Sequence, residues 1–277
     1  MDTEIKQELT QFARNLGASL IGFAPVTRWD EFNEVEIPYR PHNIWPEAKT
    51  VIVIGVPVLL PILETTPSIN YVEQYNTANI LLDQIAYRLA VHLNDRGHGS
   101  MFFPRDGYGD IKILIEKPKA SFSHVFAGKY AGLGTIGFNH TLLTEQYGPR
   151  VRYASVFTSL ALEGGPILTR ELCTQCRDCQ KVCPSQAFTP REGQVISAMD
   201  KVACAKHHAQ IRDERRFPCG ICIKVCPIGK DRLLYNSTDK TQLYLEEKAA
   251  IEENPQDPRY SSWVHVREHG SRGGRIC

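Results

Sequence analysis

No cysteine occurs before Cys173, and this absence divides the chain more sharply than anything present in its first half. Long apolar runs are missing too. The longest, Val51 to Leu63, has 13 residues and is broken by Pro57 and Pro61, short of the about 20 that a membrane span requires. Neither sign of charge is in excess: 32 basic against 31 acidic residues leave a net charge of +1. That balance removes the electrostatic case for nucleic acid or a membrane surface as the main partner. The opening residues Met1-Asp2-Thr3-Glu4-Ile5-Lys6 have no basic or apolar leader character, and Arg215-Arg216 lies deep in the chain, away from any twin-arginine leader. A cytoplasmic location is expected. There is no low-complexity tract, and the only repeat is a pair of cysteine motifs.

What is there is the composition of a globular protein, 42% hydrophobic and 23% charged over 277 residues, enough for one large domain or about two ordinary ones. Ile5, Leu9, Phe12, Ala13 and Leu16 recur at helical spacing before Gly17, and Ala78, Leu81, Leu82, Ile85, Leu89 and Leu93 mark a second helix over Asn76 to Asn94. A third helix is expected over Phe122 to Ala131. Strands are expected at Ser19–Val26, Thr50–Val56, Ser100–Phe103, Ile111–Ile115 and Val151–Phe157. Alternating helices and strands point to an α+β or α/β layer structure for residues 1–165. Gly164-Gly165-Pro166 opens a cysteine-punctuated unit, 166–230, and a polar tail, 231–277, follows. The tail is expected to pack back on the core, with a helix near Glu246 and irregular chain beyond Asn254.

Eight of the nine cysteines fall between Cys173 and Cys226. In a cytosolic chain such clustering favours metal or redox chemistry over disulfides. The first motif is Cys173-x2-Cys176-x2-Cys179-x3-Cys183-Pro184, the bacterial ferredoxin run. Three thiolates two residues apart on a tight loop can wrap one cubane, while the fourth starts a segment that leads away. The second, Cys219-x2-Cys222-x3-Cys226-Pro227, is one cysteine short, and Cys204, 15 residues before Cys219, can supply the missing thiolate. Paired Cys-x2-Cys motifs also build zinc sites, but the two Cys-x3-Cys-Pro tails favour cubane loops. By resemblance to two-cluster ferredoxins, one [4Fe–4S] cluster takes Cys173, Cys176, Cys179 and Cys226, and the other takes Cys183, Cys204, Cys219 and Cys222. Cys277 has no partner spacing and is expected to be a free thiol. Two adjacent clusters make an electron relay, which implies a donor such as ferredoxin or flavodoxin and an acceptor in the front domain.

Gly132-Leu133-Gly134-Thr135-Ile136-Gly137 satisfies the dinucleotide pattern, but it follows a helix, and no acid stands about 20 residues later. The longer stretch Ala131 to His140, then Leu142-Leu143-Thr144-Glu145-Gln146-Tyr147-Gly148-Pro149-Arg150-Val151-Arg152, together with the cysteine loops and the entry Pro41 to Val51, resembles the epoxyqueuosine reductase and reductive dehalogenase superfamily. The resemblance covers roughly residues 40–230. It implies a nitroreductase-like, cobalamin-binding sandwich ahead of a ferredoxin-like two-cluster domain, and an iron–sulfur reductase acting on a small organic substrate. Gly132, Gly134, Thr135, Gly137, Asn139, Leu143, Tyr147 and Gly148 would then line the corrinoid. The alternative is a tight turn packed on the cluster domain, and flavin is the alternative cofactor. Epoxyqueuosine reductases place a catalytic aspartate 13 residues before the alanine of this motif; here that position is Pro118, and Pro118 to His124 holds no acid. With a short tail and little net charge, tRNA is the disfavoured substrate.

A reductase needs a proton donor within hydrogen-bond reach of the reduced atom. The loop Pro104 to Asp110 offers Asp106, Tyr108 and Asp110 as candidates, with an ordinary solvated turn as the alternative. Lys129 is expected on a solvated helix face. His207 and His208 are expected to be helix residues near Cys204 rather than ligands. Trp263, His265 and Arg267 either fold back over the active site or belong to a disordered tail.

Overall fold

The computed structural model describes residues 2–235 and 240–270, so Cys277 lies outside the described residues. Its centre is a four-stranded antiparallel sheet built from β1 (Leu20–Pro25), β2 (Thr50–Pro57), β3 (Ser100–Phe103) and β4 (Val151–Thr158), in the order β1-β2-β4-β3. Both faces are covered. Ile52, Ile54, Ala154 and Val156 enter one core with Leu9 and Ala13 of α1 (Asp2–Asn15) and Leu82, Ile85, Leu89 and Leu93 of α2 (Ile69–Asn94). The alternate residues Val51, Val53, Tyr153 and Phe157 enter a second core with Trp29, Phe122 and Ala127, under α3 (His124–Tyr130). This period-two division is why β2 is apolar throughout: it has no face in water.

One helix is longer than its periodicity shows, and one expected strand is a helical turn. α2 starts at Ile69, seven residues before the expected Asn76, because the Ser68 hydroxyl caps it by accepting the Tyr71 N–H at 3.1 Å. The stretch expected as a strand at Ile111–Ile115 is a helical turn, Ile113–Glu116. Ile111, Leu114 and Ile115 are spaced i, i+3, i+4, and they meet Ala205 and Ala209 of α4 (Lys201–Asp213) instead of a neighbouring strand.

The tail forms α5 (Lys240–Glu253) and α6 (Ser261–Glu268), so the expectation of irregular chain beyond Asn254 is corrected. α6 is fixed by Val264 and Arg267, three residues apart and both buried. Arg267 donates to the backbone carbonyl of Thr65 at 3.0 Å and to that of Thr66 at 3.4 Å, and it pairs with the buried Glu247 of α5. Among the described residues no helix is long and apolar enough to cross a membrane.

Candidate active site and cluster loops

β3 is short, and this decides where the site opens. It pairs with Ser155 to Thr158 of β4 and leaves Val151, Arg152 and Tyr153 without a neighbour on that side. Beyond its end lies a cavity of about 500 Å³, walled by Tyr108, Phe122, His124, Arg152 and Tyr153 and floored by Thr141, Leu142 and Pro149. Lys119 and Glu36, an exposed ion pair at 2.7 Å, stand at its rim with Lys201 from α4. The size and largely aromatic lining suit a ligand of about 300–1,000 Å³ class with a few polar anchors.

Of the candidate acids and phenol, Tyr108 lines the cavity, whereas Asp106 and Asp110 do not. The Asp106 carboxylate accepts from Arg152 Nη2 at 2.7 Å and from the Tyr75 hydroxyl at 3.0 Å, with the Tyr108 hydroxyl at 3.4 Å. Burial first, then the neighbouring Tyr75 and Asp106, hold the Tyr108 phenol above its ordinary pKa, so it stays protonated. Asp110 instead pairs with Arg212 of α4 at 2.7 Å, which holds its carboxyl below the usual range; it is a surface tie between the loop and the helix.

Sequence reasoning passed over three residues. His124 Nε2 donates to the Pro104 carbonyl at 2.9 Å, so Nδ1 accepts from the Ser155 hydroxyl, also at 2.9 Å. Burial lowers its pKa to about 4, and it stays neutral. Arg152 spans Asp106, Tyr75 and Asn79. The Tyr153 hydroxyl is buried in the cavity wall and has no hydrogen-bond partner. No local signal marks these three: Arg152 and Tyr153 lie within β4, His124 opens α3, and each gains its role from the early end of β3.

None of the residues expected to line a corrinoid faces this cavity. A Cβ at Gly132 would overlap the Pro166 carbonyl, one at Gly134 the Leu143 carbonyl, one at Gly148 the Ile228 carbonyl, and one at Gly137 would press on the Leu143 side chain at 2.8 Å. These glycines serve close backbone packing. Thr135 accepts from the Leu172 N–H at 3.0 Å, Asn139 donates to the Cys222 carbonyl at 3.4 Å, and Leu143 pairs with Thr135 in a short ladder. Tyr147, by its N–H, bonds the Thr144 hydroxyl at 3.0 Å. The turn therefore joins sheet to cysteine loops, and its Thr141 and Leu142 alone reach the cavity floor. Lys129 pairs with Glu34 at 2.7 Å. Trp263, His265 and Arg267 do not line the cavity either; Trp263 meets Lys224 beside the second cysteine loop, where the Tyr244 ring also lies.

Cysteines of both motifs lie within reach of one another. Burial, then Cys226, Cys176 and Cys173, push the Cys179 thiol up to about 12. Burial, then Cys183, raises Cys204 to about 11, and Cys222, held high first by burial, feels Cys204 most among its neighbours. Tyr71 lies by both Cys219 and Cys222. The neighbourhoods overlap: Cys222 also feels Cys179 and Cys226, and Cys173, Cys179, Cys183 and Cys222 pack around Phe138 and Phe188. Buried thiols held this close resist ionisation unless a metal takes the charge. Among the described residues no three His, Cys, Asp or Glu side chains converge as the ligands of one ion. Burial, then His207, lowers His208 to about 4, and its ring meets Phe217 edge-on.

Residues 172–230 match the family model of the 4Fe-4S dicluster domain. The chain is 26% identical over 197 residues to a tetrachloroethene reductive dehalogenase of Desulfitobacterium hafniense, covering 66% of this chain and 33% of that protein. It is 21% identical over 256 residues to an epoxyqueuosine reductase of Bacillus subtilis, covering 83% and 64%. A solved catabolic reductive dehalogenase in complex with 3-bromo-4-hydroxybenzoic acid shares its fold with a TM-score of 0.64 at 20% identity, over 97% of this chain and 39% of that one. An epoxyqueuosine reductase with a modified tRNA stem loop does so with a TM-score of 0.59 at 16% identity, over 86% and 67%. The chain spans about a third of the length of the dehalogenases it matches. It is a mixed α/β protein with a 4Fe-4S dicluster domain, and the relatives and fold neighbours it resembles are reductive dehalogenases and epoxyqueuosine reductases.

Proposed function

We propose that this protein is an iron–sulfur reductase that passes low-potential electrons through two [4Fe–4S] clusters to an acceptor held in the cavity between Tyr108 and Tyr153. One observation carries the reading: the turn that floors the cavity with Thr141 and Leu142 also holds the Cys222 carbonyl through Asn139. Cavity and cluster loops are thereby locked together by five residues of chain or fewer. On this reading residues 1–165 form a nitroreductase-like sandwich, 166–230 the cluster unit, and 231–277 a tail packed against it.

A corrinoid is the acceptor we propose, by likeness to the dehalogenases, with flavin as the alternative. The polar groups available to hold it are Tyr153, Arg152 and the Thr141–Leu142 turn, not the glycines. When bound, a corrinoid would supply a strongly reducing cobalt centre, while the protein provides placement and electron supply. The chain's own residues do the rest. Phe122 and Tyr153 bound a water-poor wall, Arg152 is fixed by Asp106, and the protonated Tyr108 hydroxyl can deliver a proton inside the cavity. Asp106 acts by holding Arg152 and Tyr108, and Asp110 stands outside the site. The substrate is a small organic molecule; Pro118 lines the cavity where epoxyqueuosine reductases carry their acid, which disfavours tRNA. A cytoplasmic ferredoxin or flavodoxin would supply electrons.

The test is an anaerobic visible and EPR spectrum of the iron-loaded protein, before and after adding cobalamin. A base-off Co(II) signal that appears with the protein supports the corrinoid. Unchanged free cobalamin, with flavin bound instead, transfers the cavity to the alternative cofactor.

A further inference from the structure

Arg150 lies just before β4, is fully buried, and points into the second cysteine loop. A guanidinium has five N–H donors in a rigid fork, and every one of them is used. Nε and Nη2 bind the Asp231 carboxylate at 2.6 Å each, Nη1 binds the carbonyls of Ile223 at 3.3 Å and Cys226 at 3.1 Å, and Nη2 binds that of Ile228 at 2.5 Å. Arg232, also buried, approaches the same Cys226 carbonyl with Nε at 3.2 Å, while its Nη1 binds Glu64 at 2.8 Å and its Nη2 the Lys224 carbonyl. A carbonyl oxygen has two lone pairs. At Cys226 both are filled by guanidinium groups.

The other quartet is held differently. The Cys222 carbonyl accepts from the neutral amide of Asn139 at 3.4 Å, and the Cys219 carbonyl from the Thr66 hydroxyl at 2.7 Å. Each arginine has a carboxylate partner, but the cationic edge faces the cysteine loop and the carboxylate binds elsewhere on the fork. The two ion pairs therefore act as oriented dipoles with their positive ends at Cys226. Charge and hydrogen bonding around the ligands set a cluster's potential. A negative cluster next to two cationic edges is easier to reduce than one next to an amide and a hydroxyl.

We propose that Arg150 is a positioning residue that fixes Cys226 and, with Arg232, biases the relay so that a single electron rests on the cluster bound by Cys173, Cys176, Cys179 and Cys226. This rests on the two-cluster reading above. It goes further by giving the two clusters unequal potentials and naming the residues that set the difference.

The experiment is an EPR-monitored titration of the full, anaerobically reconstituted chain with dithionite as the electron source. Arg150→Gln should make one cluster at least tenfold harder to reduce, a shift of about 59 mV for a one-electron couple, and leave the other in place. Arg150→Lys, which keeps the charge and loses the fork, should lie between it and the unmodified protein. Asp231→Asn removes the compensating carboxylate and should shift the same cluster the opposite way; it decides the sign even where Arg150→Gln fails to assemble. Unchanged potentials, a common shift of both clusters, or shifts of the same sign in Arg150→Gln and Asp231→Asn would overturn the proposal. Zinc in place of iron in the unmodified protein would overturn the two-cluster reading itself, a result separable from any of these.

Discussion

Arg152 Nη2 lies 2.7 Å from Asp106 Oδ1, and this pair fixes the polar wall of the cavity from two strands' distance along the chain. The guanidinium also lies 4.5 Å over the Tyr75 ring, which leaves it little freedom to turn toward solvent. Tyr108 lines the cavity with its hydroxyl beside Asp106, held protonated by burial. Tyr108→Phe keeps the ring and removes the proton. With any organic acceptor that supports turnover, kcat should fall by about 10²–10⁴-fold, while dithionite still reduces the clusters to the same extent. Equal turnover in both proteins would remove Tyr108 from the chemistry.

Tyr153 makes the opposite kind of prediction. Its hydroxyl is buried without a partner, and such a group costs about 1–3 kcal/mol of desolvation. Tyr153→Phe should therefore leave the ligand-free protein as stable or more stable in urea unfolding. If the cavity ligand accepts a hydrogen bond there, the same change should weaken cobalamin or flavin binding by about 5–10-fold, equivalent to about 1 kcal/mol. Clear destabilisation of the free protein would show that the hydroxyl already has a partner.

The sheet and its two covering layers were legible because β2 is apolar on both faces from Val51 onward and α2 carries a full stripe from Ala78 to Leu93. The dicluster domain was legible from the spacing of the cysteine motifs, which matches its family model over residues 172–230, whereas the division into two quartets came from resemblance to two-cluster ferredoxins. The cavity was not. It exists because β3 stops opposite Ser155, a fact of strand length that no local pattern encodes. The glycine turn misled for a related reason: a glycine that admits a ligand and one that admits a neighbouring carbonyl look the same in sequence, and here Gly134 admits Leu143. Ile111 to Ile115 misled because five residues, mostly apolar, fit a strand or a helical turn equally well, and α4 chose the turn.

Cys204 lies apart from both cysteine motifs, on α4, and after burial it is Cys183 that raises its thiol most. Replacing it by serine should deprive a single cluster of one thiolate. Iron analysis of anaerobically prepared Cys204→Ser should give about four irons per chain in place of about eight, and the EPR signal of the remaining cluster should lose its coupling to a neighbour. A full complement of iron in this variant would take Cys204 out of the ligand set.

His124 ties folding to pH. Buried between Ser155 and Pro104, its pKa falls to about 4, against about 6.5 in an unfolded chain. The folded state therefore binds fewer protons than the unfolded state between these values, and stability rises with pH across that window. The contribution is complete above about pH 6.5 and declines as pH falls toward 4, with about 2 kcal/mol gone by pH 5. His124→Gln has no such proton to take up. Anaerobic urea unfolding of both proteins at pH 7 and pH 5 should show the unmodified chain losing about 2 kcal/mol more than the variant. A stability difference that is the same at both pH values would mean that His124 titrates normally and is open to water in the folded protein.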